Sequence, residues 1–165
     1  MTRPGRRAAP EVDLQVQSQA WDGEPQAENT VRAAIAAAAR ACPAEGEVSI
    51  VLTDDAAIRT LNRDWRNLDK ATNVLSFPAP KPAAAAPLLL GDIVIAYETL
   101  AREADEEGKP LLHHLAHLAV HGFLHLMGYD HQTDSQADAM ERLERDILAS
   151  MNIADPYRAH ETGPA

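Results

Sequence analysis

The stretch from Pro110 to His131 reads PLLHHLAHLAVHGFLHLMGYDH, and its last eleven residues set His121, His125 and His131 in the pattern H-x3-H-x5-H. Residues four apart on a helix sit about 40° from each other around the axis and one turn apart along it. Two imidazoles on such a face can grip one ion. A third ligand from the same helix would strain the tetrahedron, so the chain must turn back. Gly128, between the second and third histidines, lets it do so, because the left-handed residue that commonly ends a helix is cheap only for glycine. Tyr129 and Asp130 then complete the turn and deliver His131. Three neutral imidazoles with an open fourth position describe a catalytic zinc site, with Zn–N distances of about 2.0–2.1 Å.

The neighbours of these residues sharpen the expectation. His113, His117, His121 and His125 recur every four residues, so His117 is a rival ligand. The turn favours His125 as the partner of His131 and leaves His117 a supporting or structural place behind the ligands. Asp130 is either a hydrogen-bond partner that fixes a ligand's tautomer or a turn-forming aspartate. The spacing also matches the H-E-x-x-H-x-x-G-x-x-H of metalloproteases, whose glutamate is the general base. Here that position is Gly122. The cage is present without the peptidase's base, which counts against a peptidase.

Several elements must position this helix. Val12, Leu14 and Val16 alternate with polar residues, the period of a half-buried strand. Trp21–Gly23 makes a break, and an Ala-rich helix follows from Pro25 to Ala41, with Pro43 beyond its end. Val48–Leu52 is a second strand. Thr53 and Asp54 offer an N-cap for a helix over 55–68, whose apolar face is Ile58, Leu61, Trp65 and Leu68. Arg59, Arg63, Arg66 and Lys70 form a second, cationic stripe. Thr72–Phe77 and Leu88–Tyr97 are strands, with Gly91 marking a bulge or a close backbone approach. Residues 78–87 between them are a low-complexity Pro/Ala loop. An acidic helix over 98–107 ends at Gly108, Pro110 opens the histidine helix, and Thr133 or Asp134 caps a last helix reaching Met151. Its inward residues are Ala137, Met140, Leu143, Ile147 and Met151. The order β-α-β-α-β-β-α-α-α predicts a single α+β domain with a mixed sheet of about four strands. A hairpin-like pair around 73–95 supplies its antiparallel edge, and the metal site lies at the end of the central His-rich helix. Residues 1–10 and 154–165 are expected to be tails around a domain over 11–153.

With 165 residues, 45% hydrophobic and 24% charged, the chain fits one globular domain. Only 4% of residues are aromatic, so the core must be mainly Leu, Val, Ile and Ala. The single cysteine, Cys42, cannot form an internal disulfide, which suits a reducing compartment. No apolar run of about eighteen residues predicts a membrane span, and the arginines near the N-terminus precede no apolar stretch. The expected location is the cytoplasm. A net charge of −10 argues against a broad nucleic-acid-binding surface. It leaves room for a local basic patch, and the stripe through Arg66 is a candidate landing place for phosphates. The acidic runs 98–107 and 130–146 read as solvated helix faces.

The motif H-G-F-L-H-L-M-G-Y-D-H at 121–131 resembles the signature of the YbeY family of bacterial endoribonucleases and rRNA maturation factors. The likeness extends to L-N-R-D-W-R-N-L-D-K-A-T-N-V-L-S-F-P at 61–78 and G-D-I-V-I at 91–95, and covers residues 12 to 153. It implies a zinc-dependent, single-strand-specific endoribonuclease with one Zn2+ per chain. Such an enzyme acts in 16S rRNA maturation and ribosome quality control, with RNA and the small ribosomal subunit or its proteins as partners. It carries over His121, His125 and His131 as metal ligands and Arg66 as the basic residue facing the substrate. The family's aspartate is Asn73 here, and the acidic residues of its loop after Pro78 are replaced by Pro and Ala. RNA brings its own nucleophile, the ribose 2′-OH, which makes the missing glutamate at 122 tolerable. Two readings compete: a non-catalytic ribosome assembly factor with a structural metal, and a metal-dependent hydrolase of another substrate.

Overall fold

The computed structural model describes residues 9–80 and 88–157. The first eight residues of the expected N-terminal tail, residues 81–87 of the Pro/Ala loop and residues 158–165 of the expected C-terminal tail lie outside them. Strand β1 (Glu11–Val16) leads through a short 3-10 turn, Gln19–Gly23, into helix α1 (Ala27–Ala41). Then follow β2 (Glu47–Thr53), α2 (Asp55–Arg66), β3 (Val74–Pro78), β4 (Leu89–Ala96), α3 (Tyr97–Glu106), α4 (Leu111–Leu126) and α5 (Asp134–Ser150). This is the expected element order. The sheet runs β1-β2-β4-β3. Its first three strands are parallel and β3 is the antiparallel edge.

The two faces of the sheet divide the core. On one face Val48, Ile50, Leu52, Ile93 and Ile95 meet the buried sides of α1, α4 and α5. On the other, Val94 and Ala96 meet Ile58 of α2. The alternation of β4 between Ile93/Ile95 and Val94/Ala96 is the period-two rule at work in a strand covered on both sides. Helix α4 is central, packing on α1, α3 and α5 and lying across β3 and β4. Ten of its residues are buried, from His114 to Leu126. A helix so enclosed holds whatever it carries at its end in one place.

Two expectations change. The break at Trp21 is an anchor: its ring is buried, its indole N–H donates to the Thr53 carbonyl at 2.8 Å, and it meets Tyr97 edge-on. Helix α2 also stops two residues early, at Arg66, because Asn67 takes a left-handed φ of 59°. Its apolar stripe is only partly used, since Ile58 is fully buried while Trp65 and Leu68 are exposed.

Gly91 serves both readings offered for it. The pairing of β2 with β4 skips Leu90, a bulge, and Gly91 has φ 144°. Gly122 is explained by contact alone. A Cβ there would lie 2.9 Å from Ile93 Cγ2 and 3.1 Å from Ser76 Oγ, so the α4 backbone presses directly on the sheet. Gly122→Ala should therefore destabilise despite gaining about 1 kcal/mol of helix propensity, because overpacking costs about 1–3 kcal/mol. A lowered Tm in thermal melts is the expected result. An unchanged or raised Tm would show that Ile93 yields freely.

Candidate metal centre

The end of α4 is built by a Schellman turn. Gly128, with φ 100°, donates its N–H to the His125 carbonyl at 3.1 Å, and Tyr129 donates to the Leu124 carbonyl at 3.0 Å. The chain reverses there as the glycine foretold. Asp130 takes the turn-forming role: its Oδ1 accepts the backbone N–H of His131 at 2.8 Å. Thr133 caps α5 through a reciprocal capping box with Gln136.

The reversal brings His121, His125 and His131 together, with one ring nitrogen from each within 4.8 Å of the others. The Nε2 atoms of His121 and His125 face each other at 3.1 Å. Two nitrogens sharing a tetrahedral ion with bonds of about 2.0–2.1 Å lie about 3.3 Å apart, so this pair needs almost no movement to receive one. Burial pushes the His125 imidazole below its ordinary value, and His121 and His131 push the same way, favouring the neutral, ligating form. The donor set fits a divalent metal such as zinc.

Behind the triad lies a residue that was not foreseen. Glu144 of α5 has no exposed surface, and its Oε1 accepts from His121 Nδ1 at 2.5 Å. The proton on Nδ1 leaves a bare lone pair on Nε2, the atom that faces His125. Burial alone would raise the Glu144 carboxyl, but hydrogen bonds from His117 and His121 outweigh it and hold it down to about 2. The second carboxylate oxygen accepts from the Tyr157 hydroxyl. Burial pushes that phenol up, and the Glu144 charge pushes it further. His117 does not join the triad. It lies beside Glu144, its Nε2 3.5 Å from Oε1, and meets the Tyr157 ring edge-on. Asp155 and Tyr157, in the expected C-terminal tail, are tied to α5 here, Tyr157 to Glu144 and Asp155 to Arg145. The acidic run of α5 is thus not wholly a solvated face. The signal was present: Met140, Glu144, Ile147, Leu148 and Met151 follow the helical period, and a carboxylate interrupts that apolar stripe.

His121, His125 and His131 line a cavity of about 720 Å³ whose lining also includes Arg66, Lys70 and Asn73. Arg66 donates from Nη2 to the Ser76 carbonyl at 2.7 Å, and its guanidinium lies 5.3 Å from the centre of the Phe77 ring. Ser76 in turn bonds the Gly122 carbonyl through its hydroxyl. The edge strand β3 thereby fixes the cation relative to the histidine helix. Arg59 and Arg63 instead pair with Asp69 and Asp64 on the surface.

A family model described as Endoribonuclease YbeY matches residues 13–152. The chain belongs to the YbeY family. A protein from Rhodopseudomonas palustris named Endoribonuclease YbeY is 57% identical over 155 residues, 90% of each chain. One of the same name from Bradyrhizobium diazoefficiens is 56% identical, over 90% of this chain and 85% of that one. A solution structure from Thermotoga maritima covers 93% of this chain and 99% of its own at 18% identity, with a TM-score of 0.48. Within the YbeY pattern Asn73 stands where an aspartate was expected. Here its amide donates to Glu103 Oε1 at 2.9 Å, and the same oxygen faces His114 Nε2 at 2.8 Å. An aspartate in this position would set a second carboxylate against Glu103. The neutral amide removes that repulsion.

Proposed function

We propose that the chain is a zinc-dependent endoribonuclease that cuts single-stranded RNA and acts in the cytoplasm on 16S rRNA, in 3′-end maturation and ribosome quality control. The observation that carries this reading is the meeting, in the lining of one open cavity, of three histidines at ligand spacing and an arginine that faces no carboxylate among the described residues. A structural ion would want a fourth protein ligand, and among the described residues no fourth donor joins His121, His125 and His131. That favours catalysis over a purely structural metal in an assembly factor. Among the described residues no helix is long and apolar enough to cross a membrane.

His121, His125 and His131 would hold the ion, which when bound supplies Lewis-acid polarisation of a phosphoryl oxygen. The protein's own residues do the rest. Glu144 holds the His121 tautomer, and Tyr157 and His117 hold Glu144. Arg66 meets the negative charge of the phosphate and stabilises what develops on it. The tethered ribose 2′-OH is the favoured nucleophile, since tethering raises effective concentration greatly. The 2′-oxygen bonds to the adjacent phosphorus as it loses its proton, the bond to the next nucleotide's 5′-oxygen breaks, and that oxygen leaves protonated, giving a 2′,3′-cyclic phosphate and a 5′-hydroxyl end.

The test is to incubate metal-loaded protein, with and without chelator, with ribosomal RNA and with a strand carrying a single deoxyribose at a mapped cut. Chelator-sensitive internal cuts, lost at the deoxyribose alone, are expected. No cutting of any RNA by metal-loaded protein overturns the nuclease reading, and normal cutting at the deoxyribose overturns the 2′-OH route.

Glu144→Gln should keep the fold and weaken metal binding by about 10–100-fold, the usual cost of losing an orienting partner. Competition against a chelator of known affinity measures this. Unchanged affinity would reduce Glu144 to a packing residue.

A further inference from the structure

Helix α2 carries its apolar stripe past the sheet that should cover it. Ile58 is sealed against Val94 and Ala96, and Leu61 packs at their edge. One turn on, Trp65 is 71% exposed, the most exposed of the large apolar side chains among the described residues. Its ring meets Phe77 edge-on, with centroids 6.4 Å apart. Phe77 also lies under the Arg66 guanidinium. An open indole therefore sits on the same small platform as the cation that lines the histidine cavity. Lys70 lines that cavity too. Neither Arg66 nor Lys70 faces a carboxylate among the described residues, whereas Arg59 and Arg63 do.

We propose that Trp65 is the stacking platform for an unpaired base of single-stranded RNA whose backbone passes Arg66 and Lys70 on its way into the histidine cavity. The identity of the ligand rests on the nuclease reading above; the existence of a stacking site does not. The pairing of an exposed indole with uncompensated cations, in a chain of net charge −10, fits a strand that carries both flat apolar bases and phosphates. Aromatic side chains hold bases of any sequence by their faces. A duplex buries those faces, so this contact also selects single strands. A protein partner is the weaker fit, because the apolar surface is one indole and the half-exposed Leu68, far short of an interface core.

The protein supplies its own probe. Trp21 is buried behind Thr53 and Tyr97, so Trp65 is the tryptophan open to a ligand in solvent. Titration of the metal-loaded protein with a 2′-O-methylated oligouridylate, checked on a gel to remain uncut, should quench its emission. Trp65→Ala should bind that strand about tenfold or more weakly, with unchanged Tm and metal content, and Trp65→Phe should recover part of the loss. An abasic nucleotide walked along the strand should, at one register, weaken the wild type as much as Trp65→Ala does, and should weaken Trp65→Ala no further there. Equal binding by Trp65→Ala and wild type, or an abasic effect that adds to the substitution at every register, overturns the proposal. So does a Trp65→Ala variant that binds the strand normally but loses sedimentation with small ribosomal subunits, which would mark the patch as a protein contact. If strands bind through Trp65 yet no RNA is ever cut, the stacking site stands and the nuclease reading is what fails.

Discussion

His125→Ala should purify folded but nearly metal-free, while His117→Ala should keep its metal. Among the described residues two overlapping sets of donors exist, His121–His125–His131 and His117–His121–Glu144. His121 belongs to both, so its removal separates nothing. The second set is already engaged within the protein. His121 Nδ1 is spent on Glu144 at 2.5 Å, Tyr157 occupies the other carboxylate oxygen and meets the His117 ring edge-on, and among the described residues only His117 Nδ1 of this cluster lacks a partner. The first set turns its nitrogens toward an open cavity. Loss of a direct ligand should exceed the about 10–100-fold effect of losing an outer partner. Elemental analysis of purified protein should find about one zinc per chain in the wild type, most of it gone in His125→Ala, and near-normal content in His117→Ala and in His113→Ala. Metal retained by His125→Ala but lost by His117→Ala would place the ion against Glu144 instead.

The first set was legible because its geometry is local. Four-residue spacing on a helix, a glycine where the chain must reverse and a third histidine just beyond are separated by so few bonds that backbone rules alone place them. The same locality explains the accuracy over the caps at Asp54, Pro110 and Thr133. What sequence patterning missed was set by elements distant along the chain. Glu144 approaches His121 only because α5 packs on α4, and an acidic run reads as a solvated face until one member falls on the buried stripe. Trp65 and Leu68 were assigned inward by periodicity, which tells which side of a helix is apolar but not how far the sheet beneath it extends. Trp21 looked like a break because a 3-10 turn is too short to show a period. The Asp130 ambiguity was also beyond patterning, since a backbone N–H and a ring N–H of the same histidine differ only in three dimensions.

Arg66→Glu should abolish RNA cleavage, by about 10³-fold or more if the cation contributes as positioned arginines do in other phosphoryl chemistry, and leave Tm and metal content close to wild type. The asymmetry follows from what the side chain touches. Arg66 is exposed, and among the described residues it bonds one backbone carbonyl and rests on one ring, with no carboxylate among its partners. Its removal strands no buried charge, and exposed contacts of these kinds stabilise by about 0.5–1.5 kcal/mol each. A change of that size moves Tm by a few degrees. The catalytic loss has a different origin: a carboxylate in that place repels the phosphate which the guanidinium would hold in the cavity that the histidines also line. Arg66→Lys separates charge from shape. It keeps the cation but loses the planar fork that reaches Ser76 and a phosphate together, so a partial recovery of rate is expected. Cleavage rates on one single-stranded substrate, read beside melting curves and metal analysis for both variants, decide the matter. Should Arg66→Glu unfold or shed its metal, the residue is a brace between α2 and β3; should it cut within tenfold of wild type, the charge that serves the phosphate lies elsewhere on the cavity wall.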